Sequence, residues 1–290
     1  MSEKVLITVF TDPMMGLSYE SEPILRKLET HFPDRIRFWY VMSCLVPDVY
    51  RLVDPGELPL DREKAIERYN RRLAKIYEDE ESISGMPINM EGFCLFDTEH
   101  TSSMPLNLAY KAAQLTHPAK AEQFLYNLRF ATVVDCRPTT RTEEIMVVAR
   151  KTGLDEQVFL DHFNSHTTRD ELELDLQFGR KLGIYSLPSY LIQWGNRGVL
   201  IQSFHYGDFL TAIEKVTEWT VRPVPVEPTA DGLRSLIQNH PLISPIEIRE
   251  TLDLNSTEEV EELLQPLLQA GEVTIQPVPH GWFVRKESES

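Results

Sequence analysis

Val5-Leu6-Ile7-Thr8-Val9-Phe10-Thr11-Asp12-Pro13-Met14-Met15-Gly16-Leu17-Ser18-Tyr19 is the stretch from which the rest of the chain can be read. Residues 4–11 form a short, β-branched, nearly uncharged run, the mark of a strand buried on both faces. Thr11-Asp12-Pro13 ends it with turn chemistry. Ser18 to Leu28 follows with Ile24, Leu25 and Leu28 at helical spacing, acids leading and bases trailing as the helix dipole prefers. Pro33-Asp34 breaks that helix, and Ile36-Arg37-Phe38-Trp39-Tyr40-Val41-Met42 is a second apolar strand. Strand, helix and strand at this spacing predict a βαβ unit with a parallel pair.

After residue 55 the pattern turns helical. Ile66, Tyr69, Leu73, Ile76 and Tyr77 share a helical face, and residues 84–104 read as an irregular connection. Four helical stretches follow, Leu106–Leu115, Ala119–Thr132, Thr142–Lys151 and Glu156–Asn164, parted by Pro118, Pro138 and Gly153. Residues 171–182 fit either period, and Gly183 as a C-terminal stop favours helix. Ser189–Trp194, the Gly195-Asn196-Arg197-Gly198 turn and Val199–Phe204 predict a hairpin. Phe209, Ile213, Val216 and Trp219 predict a closing helix. The expected fold is therefore α/β over residues 1–222, split by an all-helical insertion of about residues 55–183. Pro223-Val224-Pro225-Val226-Glu227-Pro228 reads as a linker. Residues 229–290 hold helical patterns at about 229–239, 244–252 and 256–270 and strands around Val273 and Phe283, the anatomy of a small winged-helix-like module.

The 290 residues carry a net charge of −16. Such a surface repels phosphate backbones and anionic lipid, so nucleic acid and membrane are disfavoured as partners. The C-terminal 227–290 holds 12 acids against 4 bases, and its would-be recognition helix carries Glu258, Glu259, Glu261 and Glu262 with no Lys or Arg. No apolar run approaches the ~18 residues of a membrane span. Met1-Ser2-Glu3-Lys4 leads directly into the first strand, so a cytoplasmic protein with reduced thiols is expected.

Taken with Leu187-Pro188-Ser189 opening the later strand, the Asp12-Pro13 frame and the element order over residues 4–220 resemble the DsbA-like family of the thioredoxin superfamily, including its dithiol-disulfide isomerase-like members. The stretch Gly183-Ile184-Tyr185-Ser186-Leu187-Pro188-Ser189-Tyr190-Leu191-Ile192 is the more specific part. The resemblance implies a thioredoxin fold, a cis-proline at Pro188, and a turn of the form Asp-Pro-x-Cys-x-x-Cys. Here those two cysteine positions hold Met15 and Ser18, bracketing Gly16 and Leu17. A thioether has no ionisable proton and cannot attack a disulfide, and a lone hydroxyl cannot resolve a mixed one. Thiol exchange by this motif is chemically excluded. Ser18 is then a helix N-cap, or a holder of a glutathione thiolate as in the kappa-class glutathione transferases, whose Ser stands at the first cysteine position. In the family the residue before the cis-proline offers its backbone to an extended peptide. The expected binding set is Asp12, Pro13, Met15, Ser18, Leu187, Pro188 and Ser189, with no certain catalytic residue, no metal, and glutathione as the one possible cofactor.

Cys44 closes a strand and is expected to be packed; Cys136, beside Arg137, is the candidate reactive thiol; Cys94 completes the set. Asp161, His162, His166 and Asp170 read as a solvated helix end rather than a metal site, and Asn255-Ser256-Thr257 as an N-cap. Ser102-Ser103-Met104-Pro105 to Lys111-Ala112-Ala113, Phe124-Leu125-Tyr126-Asn127-Leu128 and Gly281-Trp282-Phe283 are similar to cytoplasmic adaptors that deliver the regulator Spx to the ClpXP protease. The Cys/His-rich extension and the paired cysteines of those adaptors have no counterpart here. That resemblance implies a protein or peptide client.

Overall fold

The computed structural model describes residues 4–56, 61–224 and 226–287. Strand β1 (Val5–Thr11) pairs in parallel with β2 (Ile36–Met42), in register from Val5 opposite Ile36 to Thr11 opposite Met42. The helix between them is broken in two, α1 (Gly16–Glu20) and α2 (Glu22–His31), because Pro23 in the first turn of α2 restarts the ladder at Ser21. The insertion supplies α3 (Arg62–Glu80), capped by Asp61, then an irregular stretch, then α4 (Met104–Thr116), α5 (Ala121–Val133), α6 (Thr142–Lys151), α7 (Glu156–Phe163) and α8 (His166–Lys181). Strands β3 (Ser189–Trp194) and β4 (Arg197–Ile201) form the hairpin, and α9 (Tyr206–Thr217) closes the layer. The sheet order is β2-β1-β3-β4, with β3 antiparallel to both neighbours.

The ambiguous 171–182 stretch is helix. Leu172 is 2% exposed while Leu174 is 58% exposed, which a strand with Leu172, Leu174 and Leu176 on one face would not give. The break between α7 and α8 puts His162 and His166 on different helices, so their i, i+4 spacing does not stack them.

The C-terminal residues fold as α10 (Ala230–Asn239), β5 (Leu242–Ile243), α11 (Pro245–Thr251), α12 (Thr257–Gln269), β6 (Val273–Val278) and β7 (Gly281–Lys286). The three strands form an antiparallel sheet in the order β5-β7-β6, and the short β5 has no counterpart in the sequence reading. Ser256 caps α12, and Ser244 with Glu247 forms a capping box on α11.

This unit is not hung from a free tether. It has its own core of Leu233, Ile243, Ile248, Val260 and Leu264, but Leu242 and Phe283 belong to the core of the helical insertion. The Phe283 ring meets Phe130 edge-on at 4.8 Å between centroids. Helix α11 packs along α2, and the Val224 amide donates to the His31 carbonyl at 2.7 Å. The Pro-rich stretch reads as a linker in sequence, and the units on either side of it pack on one another.

Phe283→Ala should therefore cost about 3–5 kcal/mol. It should also part the module from the insertion. In the unsubstituted protein, Trp282 fluorescence and far-ultraviolet circular dichroism should report one coincident urea transition. Two separated transitions would contradict a shared core.

Candidate functional site

Asp12 closes β1 and turns inward. Its carboxylate accepts from the amides of Met14 (3.0 Å) and Leu45 (2.7 Å), the Ser103 hydroxyl (2.7 Å) and the Asn107 amide nitrogen (2.8 Å). Burial pushes its pKa up against those four donors. Asp12 and Pro13 are both buried, so Asp12 is a clasp between β1, the segment after β2 and the start of α4. The sequence reading placed it among the binding residues; its acceptor sites are already taken within the chain.

Met15 is the N-cap of α1, with no side-chain cap, and Ser18 is the third residue of that helix. The N-cap reading of Ser18 is thus corrected: the helix starts earlier because Gly16 and Leu17 already have helical geometry. Met14 and Met15 are 0% and 7% exposed. What covers them is the end of α3. Tyr77 donates its hydroxyl to the Met14 carbonyl at 2.5 Å. A methyl group placed on Gly16 would lie 2.1 Å from Glu80 Oε2. Gly16 is here for close approach, and it was the one sequence signal that another element presses on the turn. Tyr77 and Glu80 themselves gave no local signal.

The carboxyl of Glu80 is pushed up to about 7 by burial, and its Oε2 has no hydrogen-bond partner among the described residues. Nearby Glu20 accepts from the Ser84 amide at 2.9 Å and the Ser84 hydroxyl at 2.5 Å. Burial, opposed by Ser84 and aided by Glu80 and Glu81, raises it to about 8.

Ser18 is 1% exposed. Its hydroxyl accepts from Thr11 at 2.7 Å, and Thr11 Oγ1 accepts from Arg129 Nη2 at 2.7 Å. Arg129 also pairs with Glu22, Glu22 with Arg26 at 2.9 Å, and Arg26 Nε lies 3.4 Å from Glu247 of α11. Glu247 completes the chain by accepting from the Tyr126 hydroxyl (2.6 Å) and the Ser244 amide (2.8 Å). Ser18 is therefore the first link of a buried polar chain. It does not present its hydroxyl to a thiol ligand.

The Leu187–Pro188 peptide bond is cis. Phe10 pairs with Ser189, so Leu187 and Pro188 sit at the same end of the sheet as Asp12 and the Met15 turn. Pro188 and Ser189 are buried, and the Ser189 hydroxyl donates to the Ser186 carbonyl at 2.6 Å while accepting from Gln202 at 2.9 Å. Accessible apolar groups at this end are half-buried Leu17 and Leu187, Leu45 at 40% and Tyr185 at 93% exposed, with exposed Ser186 between Tyr185 and Leu187 in sequence. Of the expected set, the structure leaves only Leu187 open. Leu17, Leu45 and Tyr185 were not singled out in sequence.

Cys44 shares Ser103 with the Asp12 clasp, its sulfur 3.9 Å from the Ser103 hydroxyl. Burial and the Asp12 charge raise its pKa to about 11. Cys136 is also raised to about 11, by burial first and then by Cys94 and Glu91. Arg137, whose proximity suggested a reactive Cys136, pairs instead with Glu144 at 2.5 Å. Neither thiol is poised as a thiolate.

The sequence pattern of the family described as thioredoxin matches residues 8–207, well over half of the chain. The chain belongs to this thioredoxin family. Its fold is of the DsbA-like kind. A probable DsbA oxidoreductase from Streptomyces coelicolor superposes with a TM-score of 0.55 at 16% identity, covering 77% of this chain and 94% of that one. A candidate protein disulfide isomerase from Nitrosomonas europaea does so with a TM-score of 0.56 at 15% identity, covering 74% and 97%. In sequence, the ClpXP adapter protein SpxH of Shouchella clausii is 24% identical over 285 residues, covering 96% of this chain and 87% of the adapter. An alignment over 96% of the chain leaves too few residues aside to omit the C-terminal unit. Among the described residues, no helix is long and apolar enough to cross a membrane.

The raised carboxyls give a pH signature. An acid whose folded pKa lies above its unfolded value of 4.5 stays protonated in the folded state while the unfolded chain ionises. Stability from these groups is intact below about pH 4.5 and falls as pH rises toward 7–8. Glu20→Gln should flatten that fall by roughly 2–5 kcal/mol between pH 5 and pH 8. Urea denaturation at the two pH values checks it; an unchanged slope would mean Glu20 is ionised in the folded protein.

Proposed function

We propose that the chain is a non-catalytic, protein-binding member of its family, an adapter that presents a protein client to the ClpXP protease. The observation that carries this is the sealed turn: Met15 and Ser18, at the positions where exchange would need thiols, are both buried, and α3 packs on the turn at Met14 and Gly16. An oxidoreductase needs its sulfur open to substrate. A protein that binds through the rim of the same site does not. The alignment with SpxH over 96% of the chain supports the adapter reading.

The client-facing surface in this proposal is the apolar rim of Leu17, Leu45, Tyr185 and Leu187, with the Leu187 backbone offered beside Pro188 to an extended segment. Asp12, Pro13, Met15, Ser18 and Ser189 shape that rim from below. The C-terminal unit, in the helix–strand–helix–helix–hairpin order of a winged helix, is a second protein contact. Glu258, Glu261 and Glu262 are exposed on α12, which suits protein and disfavours nucleic acid. The setting is cytoplasmic, no cofactor takes part, and glutathione has no open hydroxyl at Ser18.

The purified chain should be inert in insulin reduction and should speed degradation of Spx by reconstituted ClpXP. Tyr185→Ala should lower that stimulation at least fivefold without changing the melting temperature, since the Tyr185 side chain is 93% exposed. Insulin turnover would overturn the non-catalytic reading. An unaltered Spx half-life would overturn the adapter reading.

A further inference from the structure

Strand β2 is an edge of the four-stranded sheet. Its alternation of hydrogen-bonding sides can be fixed from its ends. Arg35 and Ser43 bond toward β1, through Val5 and Thr11, whereas the Met42 amide points away and donates to Asp175. By the two-residue period, the amides and carbonyls of Ile36, Phe38 and Tyr40 also point away from β1. None of these three has an outward backbone partner among the described residues. This is an open template for one more strand.

The edge does not face bare solvent. Residues 36–40, with Tyr110, Gln114 and Pro118, line a groove of about 360 Å³. A second cleft of about 390 Å³ adjoins it across Glu29, Pro118 and Glu122, and reaches Tyr126 and His240 of the C-terminal unit. The charges on these walls are unequal. Arg26 lines the second cleft and is shared among Glu22, Glu247 and, at 3.9 Å, Glu29, and Arg37 lines the groove within electrostatic reach of Glu122. Burial holds His240 below its ordinary pKa, and its Nε2 lies 2.9 Å from Glu29. Glu122 has neither an ion pair nor a hydrogen bond among the described residues. Its side chain is exposed at the lip of the groove, where crowding by protein and the Glu29 charge raise its pKa against the Arg26 and Arg37 guanidiniums. Tyr40, 3% exposed, lines the groove, and its hydroxyl likewise has no hydrogen-bond partner among the described residues.

An unpaired strand edge, an unpaired carboxyl and an unpaired phenol thus converge on one groove. We propose that it seats an extended basic segment of a partner protein, which adds as a strand to Ile36–Tyr40 and places a Lys or Arg side chain between Glu29 and Glu122. The backbone ladder supplies affinity, and the carboxylates select a cation. The partner's cation relieves the repulsion between the two acids and gives the Tyr40 hydroxyl an acceptor or donor in the arriving strand. The net charge of −16 steers such a segment in. That the occupant is a protein rests on the adapter reading; the geometry of the groove does not.

The probe is the peptide acetyl-Thr-Lys-Val-Lys-Thr-amide, followed through the fluorescence of Trp39, which is 40% exposed beside the groove. Saturable binding should weaken at least tenfold for the Thr-Glu-Val-Glu-Thr analogue and for Glu122→Gln, whose fold is safe because Glu122 holds nothing. It should weaken as much when the peptide is N-methylated at the residues that bond to β2. Binding indifferent to N-methylation, or matched by spermidine alone, would make the cleft a small-cation site and overturn strand addition; no binding would overturn the proposal outright. Glu122→Gln in the Spx degradation assay keeps the two readings apart. Peptide binding with no ClpXP stimulation by the unsubstituted chain would sink the adapter alone, and stimulation with no peptide binding would sink the groove alone.

Discussion

Two cations and two carboxylates, Arg129, Glu22, Arg26 and Glu247, lie inside the protein, and each depends on the next. Removing one member of such a set strands a buried charge, at a cost of about 3–5 kcal/mol. Burial works against the Arg26 charge, and Glu22 and Glu247 more than restore it. A set of apolar residues could stabilise the same contact as well or better. What the ions add is position. Only one placement of α11 on α2 brings Glu247 to Arg26 while its other oxygen still accepts from Tyr126 and from its own capping box. The C-terminal unit is therefore held in one orientation on the thioredoxin layer, with the insertion as the third party through Arg129 and Tyr126.

The same chain of contacts reaches the turn after β1. Thr11 passes the Arg129 contact to Ser18, so the Ser18 hydroxyl is an internal strut. The turn is closed from outside, by Tyr77 on the Met14 carbonyl and Glu80 against Gly16. Met15 and Ser18 carry no thiol, and both are buried. A sealed cysteine would be useless, and an open Met-Ser turn would expose apolar surface without purpose. Beside the buried Pro188, Leu187 stays partly open.

How much of this could be read from the chain depends on the range of the interaction. Strand β2 was delimited to the residue, because Pro33-Asp34 and the change after Met42 are local signals. The helices of the C-terminal unit were placed within one or two residues, since Ser244 and Ser256 are local caps. The break at Ser21 was missed although Pro23 signals it, because Ile24, Leu25 and Leu28 keep their period across the restart. Short β5 escaped because two residues carry no periodicity. The site fared worst. Asp12 was visible as a turn former, but its partners Leu45, Ser103 and Asn107 are 33, 91 and 95 residues away. No window of sequence joins Glu22 to Arg129, or Gly16 to Glu80. Buried polar pairing over such separations is a property of topology, and charge counts cannot reveal it.

The two surfaces proposed for partners lie apart for a reason set by the sheet. The apolar rim is at the Thr11–Met42 end, and the groove runs along the edge of β2 from Tyr40 to Ile36, whose far end is six residues or ~20 Å back along the strand. In the two proposals one surface takes apolar extended chain and the other a cation, so the same short segment would not satisfy both. An adapter must hold a client and still meet a second protein. Two sites on one rigid sheet allow this without competition, and when both engage one long partner the second contact forms at a high effective concentration. That gain requires a fixed span between the sites. Helix α2, which the buried ion chain ties to the C-terminal unit, carries Glu29 on the wall of the groove. The interaction that orients the C-terminal unit thus also holds the acidic wall at a constant distance from the rim.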